Sequence, residues 1–138
     1  MFYDDSDDVS FFRAFLKAEN NEKIFVSIKA KEQSIRDIDF EFIIEILFNL
    51  SKYQLRAKEF LFKSCNSSPV GFGFSEIPKS LKIENIVSHP ELMFWKKNHW
   101  SIIFREGLLP ICDPYGILVN FQEDRVLDYE NLMDYDEV

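Results

Sequence analysis

The residue types that could do chemistry in this chain are few. His89 and His99 are the two histidines, and Cys65 and Cys112 are the two cysteines. A hydrolase built from them would use a histidine as general base, Asp113 to orient it, and Cys112 or Ser101 as nucleophile. The spacing forms no nucleophile signature: Cys112-Asp113-Pro114 is not one, and no glycine-rich elbow surrounds Ser101. His89 precedes a proline, as at a strand end, and His99 opens an apolar run beside Trp100, so both read as structural residues. His89, His99, Cys112 and Asp113 suit zinc by type, but their spacing follows no zinc pattern. The aspartates at 4, 5, 7 and 8 lack the glycine and distal glutamate of a calcium loop. Gly71-Phe72-Gly73-Phe74 follows a helical pattern and has no Lys-Ser/Thr pair, so it reads as a turn closing the core, not as a phosphate loop. The expectation is a protein with no catalytic residue, metal or cofactor.

Recognition chemistry is easier to find than catalysis. Phe94, Trp95, Lys96, Lys97, His99 and Trp100 could stack single-stranded bases, but two lysines in an acidic chain are a thin electrostatic attraction, and a hairpin turn with rings on the core side is the better reading. The net charge of −8 sits at the ends. Residues 1–8 carry four aspartates and no base; residues 123–138 carry seven acids against Arg125; the stretch between them holds a small positive balance. That pattern disfavours nucleic-acid backbone binding, which needs clustered Lys and Arg, and favours a basic partner. The last segment mixes its acids with Tyr, Leu and Met, giving a surface on which tyrosines anchor and acids steer. Asp124, Asp128, Tyr129, Glu130, Asp134 and Tyr135 are the candidate partner-binding residues. The competing reading is a last strand that packs Val126, Leu127 and Leu132 with its acids toward water.

The elements that must position these groups follow from periodicity. Phe12, Ala14, Leu16 and Ala18, then Ile24, Val26, Ile28 and Ala30, alternate with period two around Asn20-Asn21, which predicts a β-hairpin over 10–18 and 23–30. Ile43, Leu47, Leu50, Ala57 and Leu61 recur at helical spacing from Phe40 to Cys65, with Asp37 or Asp39 as cap, which predicts one long helix. Leu81 to Ile86 reads as a strand stopped at His89-Pro90, and Leu92 to Trp95 as another. His99 to Phe121 reads as a three-stranded meander with strands at 100–105, 108–111 and 117–121, turning at Glu106-Gly107 and Asp113-Pro114-Tyr115-Gly116. Val126 to Met133 is left as a strand or a turn, so five or six strands follow the helix. The fold class expected is α+β, two-layer, with the hairpin, one long helix and a mainly antiparallel sheet. Residues 1–138 form one domain, with 1–9 and 134–138 mobile. Two isolated thiols, an acidic start and short apolar runs point to a cytoplasmic chain with no membrane span.

This layout, carried by HWSIIFREGLLPICDPYGILVNF with Asp113 and Gly116 at its turn and the acidic segment after it, resembles a group of small bacterial α+β proteins encoded beside polymorphic or contact-dependent growth-inhibition toxins. The small acidic character is similar to that of contact-dependent-inhibition immunity proteins. The resemblance implies a protein that binds and blocks a cognate toxin, often a basic nuclease, and is not itself an enzyme. Two alternatives stand beside it: a small hydrolase or nucleotide-handling enzyme using His99 and Asp113, and a homodimeric interaction domain using the Phe-rich helix face.

Overall fold

Asn20 and Asn21 make the first turn. Asn21 takes a left-handed backbone (φ 65°), the Asn20 side chain accepts from the Glu22 amide, and the Ala18 amide donates to the Glu22 carbonyl. Strands β1 (Val9–Lys17) and β2 (Lys23–Lys31) therefore pair in unbroken antiparallel register, with Phe15 opposite Phe25 and Lys17 opposite Lys23. This is the expected hairpin, with Val9 already inside β1. The computed structural model describes residues 9–31, 38–96 and 98–132.

Asp39 caps the helix that follows, its carboxylate accepting from the Phe42 amide at 3.0 Å. The single long helix of the sequence reading is two, α1 (Phe40–Phe48) and α2 (Leu50–Ser67), broken at Asn49. Asn49 leaves helical geometry (φ −120°, ψ 24°), and its side-chain amide donates back to the Glu45 carbonyl. The Ser51 amide, left without a helical partner, donates instead to Glu19 in the hairpin turn at 2.6 Å.

The helices carry the chain across to β3 (Val87–Lys96), which runs parallel to β2 over Leu92–Phe94. The strand expected over 81–86 is a short 3₁₀ turn at Ile83–Asn85, with Leu81 and Ile86 buried on either side. His89 and Pro90 do not stop β3. His89 adopts positive φ (58°), and Pro90 precedes the stretch paired to β2, so its missing amide falls where β3 has one neighbour only.

From there the chain meanders through β4 (His99–Gly107), β5 (Ile117–Gln122) and β6 (Arg125–Asn131), giving the six-stranded order β1-β2-β3-β4-β5-β6. The expected strand at 108–111 is absent. Pro110 instead starts a 3₁₀ turn through Cys112, which packs Leu109 and Cys112 inward, and the third strand of the meander is β6. Four strands follow the helices among the described residues. At Gly116 (φ 98°) a Cβ would lie on the Phe104 carbonyl, so glycine is required where the chain turns into β5.

The result is a two-layer α+β domain. Helix residues Ile43, Ile46, Leu50, Tyr53, Ala57 and Leu61 pack on one sheet face against Val26, Leu92, Trp100, Ile102, Val119 and Phe121. Tyr53 meets Trp100 and Phe121 edge-on, with ring centroids 5.2 and 5.9 Å away. No described helix is long and apolar enough to cross a membrane.

Candidate functional site

The opposite sheet face carries no packed element among the described residues, yet parts of its floor are buried. Ser101 is 0 % and Asn120 8 % exposed, and Ile103 and Leu118 beside them are also buried. A buried polar group must find partners, and these do. The Trp95 indole donates to the Ser101 hydroxyl at 2.9 Å. That hydroxyl donates to the Asn120 side-chain carbonyl at 2.6 Å. The Asn120 amide then donates to Asp128 at 2.8 Å and to Glu130 at 2.9 Å. Donors thus point in one direction across three strands and end on two carboxylates, an arrangement in which each bond polarises the next.

The backbone places those carboxylates through a local irregularity. Asn120 is opposite Asp128, but Phe121 is opposite Val126, so Leu127 is an extra residue in β6. The bulge reverses the strand's alternation. Val126 and Tyr129 both reach the helix side, where Tyr129 stacks on Phe72 with centroids 4.8 Å apart, while Asp128 and Glu130 share the other face. Leu127, expected in the core, is 50 % exposed.

The six candidate partner-binding residues therefore separate. Asp128 and Glu130 are brought together. Tyr129 points to the core, and Phe60 meets it edge-on at 6.3 Å. Asp124 lies in the β5–β6 turn, where its carbonyl accepts from Arg56 at 2.7 Å and its carboxylate sits 3.9 Å from the same guanidinium. Asp134 and Tyr135 lie outside the described residues. Sequence reading passed over Asn120, weighed Trp95 only as a ring that could stack bases, and took Ser101 only as a possible nucleophile. The available signal was a polar residue at matching positions in two apolar strands, Ser101 in β4 and Asn120 in β5.

A second feature of this face is a shallow cleft on β1 to β4, with Ser27 on its floor and Arg13, Glu91, Met93 and Arg105 around it. Arg105 is held there by Glu91 at 3.2 Å and by the Tyr115 carbonyl at 3.2 Å.

The residues first considered for catalysis are dispersed. His99 stacks on Trp95 at 6.0 Å at the start of β4, whereas Asp113 precedes β5 at the far end of the same strand pair. The rise of the strands puts them roughly 15 Å or more apart. His89 lies 2.6 Å from Glu106 on the surface. Cys112 is buried, and burial pushes its thiol up to about 11, which keeps it protonated at neutral pH. The Ser101 hydroxyl is enclosed and already donating to Asn120. Among the described residues no group of three or more His, Cys, Asp or Glu is placed to hold a metal ion.

Fold and site together define a two-layer α+β domain that presents a positioned carboxylate pair at the edge of its sheet. Comparison of the chain with family models, curated proteins and solved structures returned no match.

Proposed function

We propose that this protein is an immunity protein: it binds a cognate toxin domain carrying a basic surface and blocks that domain's active or substrate-binding face. The observation that carries the reading is the Asn120 side chain holding Asp128 and Glu130 side by side on the outermost strand. Two fixed carboxylates suit a partner guanidinium or ammonium, because the geometry is set before the partner arrives and little side-chain freedom is lost on binding. The overall charge of −8 adds long-range attraction to a basic partner. In this reading the protein acts in the cytoplasm of the producing bacterium.

The test is co-expression. The C-terminal portion of the reading frame immediately upstream is induced in a sensitive host with and without this protein. Relief of growth arrest by the native chain, and its loss in an Asp128→Lys/Glu130→Lys variant that keeps its circular dichroism, is the expected result. Arrest that the native chain leaves untouched refutes the immunity reading. Full relief by the double variant refutes the assignment to this pair.

A further inference from the structure

One row of residues across the open sheet face holds two buried serines in opposite circumstances. Ser27 on β2 is beside Met93 on β3, Met93 is opposite Ser101 on β4, and Ser101 is opposite Asn120 on β5. Ser101 accepts from Trp95 and donates to Asn120. Ser27 is 5 % exposed, and no described residue makes a hydrogen bond with its hydroxyl. Its neighbour Met93 offers only a thioether, a weak acceptor. Among the described residues no fully enclosed side-chain nitrogen or oxygen lacks a partner, so the Ser27 hydroxyl opens into the cleft above it. Such an enclosed strand position ordinarily takes an apolar side chain, because a hydroxyl there gives up its water partners. A nearly buried, unpartnered hydroxyl facing a cleft marks the place where a bound group supplies the missing bond.

The chemistry of the cleft says what that group is. It encloses roughly 320 Å³, near the lower end of the range for small-molecule sites. Arg13 on β1 is directly opposite Ser27, and Arg105 on β4 lines the far side. Two guanidiniums against the one carboxylate of Glu91 leave a net positive charge. Arg105 spends one nitrogen on Glu91 and another on the Tyr115 carbonyl, which fixes its plane and leaves further N–H donors. Donors therefore outnumber acceptors, and a ligand must bring acceptor oxygens and negative charge. Phe25, Met93 and Ile103 line the rest with apolar surface. A single carboxylate on a short apolar body matches both halves of the cleft. A phosphate, more highly charged and with no apolar part, matches one.

We infer that this cleft binds a small monocarboxylic acid. Its carboxylate accepts from the Ser27 hydroxyl and from a guanidinium, and its body lies against Phe25, Met93 and Ile103. The inference stands apart from the immunity reading: the cleft is on β1 to β4 and the carboxylate pair on β6, and neither needs the other.

Benzoate is the probe, titrated into the isotope-labelled full chain and followed by amide resonances in NMR, with benzamide and inorganic phosphate as comparisons. Benzoate is expected to shift Phe25, Ser27 and Met93 with a Kd of about 1 mM or tighter, and the other two to bind about tenfold more weakly or not at all. Ser27→Ala removes one oxygen and keeps the strand, and weakens benzoate by about five- to tenfold. Arg105→Gln, far from Ser27 in sequence, weakens it by at least as much. No shift at about 20 mM benzoate overturns the inference. So do shifts confined to other strands, or an affinity that both variants leave intact. Benzamide or phosphate binding as tightly as benzoate overturns the assignment to a monocarboxylic acid.

Discussion

Residues 100–104 of β4 and 117–121 of β5 are buried on both faces, and the two faces are built from different chemistry. Toward the helices, Trp100, Ile102, Phe104, Val119 and Phe121 are 0 % exposed and touch rings and aliphatic chains. Trp100 stacks on Phe121 at 4.3 Å and on Phe94 at 5.9 Å, and its indole donates to the Glu123 carbonyl at 2.7 Å. On the other side, Ser101 and Asn120 are enclosed with no helix above them among the described residues, and their partners are hydrogen-bonding groups that end at the solvent-facing acids of β6. One face is stabilised by the amount of apolar surface removed from water, which tolerates many shapes. The other depends on each donor meeting its acceptor, because an enclosed amide left unpaired costs more than the bond itself contributes. The apolar face thus makes the domain stable, and the polar face fixes where two charges stand.

The largest break in that comparison is Trp100→Ala. It removes the biggest fully buried side chain and leaves a cavity against Tyr53, Phe94 and Phe121, with an expected loss of about 3–5 kcal/mol in urea unfolding. A loss below about 1 kcal/mol would mean that the helix layer contributes far less than its burial implies. Asn120→Ala attacks the other face. It deletes a small side chain but strands the Ser101 hydroxyl and removes the donor shared by two carboxylates, for an expected loss of about 1–3 kcal/mol. Its signature lies elsewhere: the variant stays folded while any affinity that depends on Asp128 and Glu130 falls. A variant that loses stability without losing affinity would separate the network from recognition.

The apolar face was largely legible in the sequence because period-two and helical stripes report burial directly. The hairpin at Asn20-Asn21 and the cap at Asp39 follow from local chemistry, and both stand in the structure. The break at Asn49 did not show because the apolar stripe runs straight through it: Ile46 and Leu47 before it and Leu50 and Tyr53 after it are all buried. The strand at 108–111 was misread because Leu108 to Ile111 is apolar enough for one, but Pro110 turns it into a 3₁₀ corner. The polar face was scarcely legible. Its acids were visible as composition, but their grouping depends on Asn120 across the β5–β6 register, and on a one-residue bulge that no alternation pattern carries. Tyr129 looked like an exposed anchor among acids for the same reason: without the bulge its side of the strand cannot be assigned.

The smallest expected effect tests how the helix layer is tied to the hairpin, and so sharpens the contrast with the polar face. Glu19 accepts from the Ser51 amide at the start of α2, a position that favours negative charge, and this bond holds its carboxyl below the ordinary value of 4.5. A carboxyl with a lowered folded-state pKa binds fewer protons folded than unfolded, so its contribution is present above the ordinary carboxylate range and fades as pH falls through the folded value. Glu19→Gln mimics the protonated acid. The melting temperature of the variant is therefore expected to lie slightly below that of the native chain at pH 7, and the two should converge in acid as Glu19 itself protonates. Because Glu19 touches neither Asn120 nor β6, the Asn120→Ala deficit should be the same in either background. A gap between the Glu19 variants that persists in acid would show that the carboxylate charge is not what secures Ser51, and that the hairpin is joined to the helices by the apolar packing of Ala18, Ile24 and Val26.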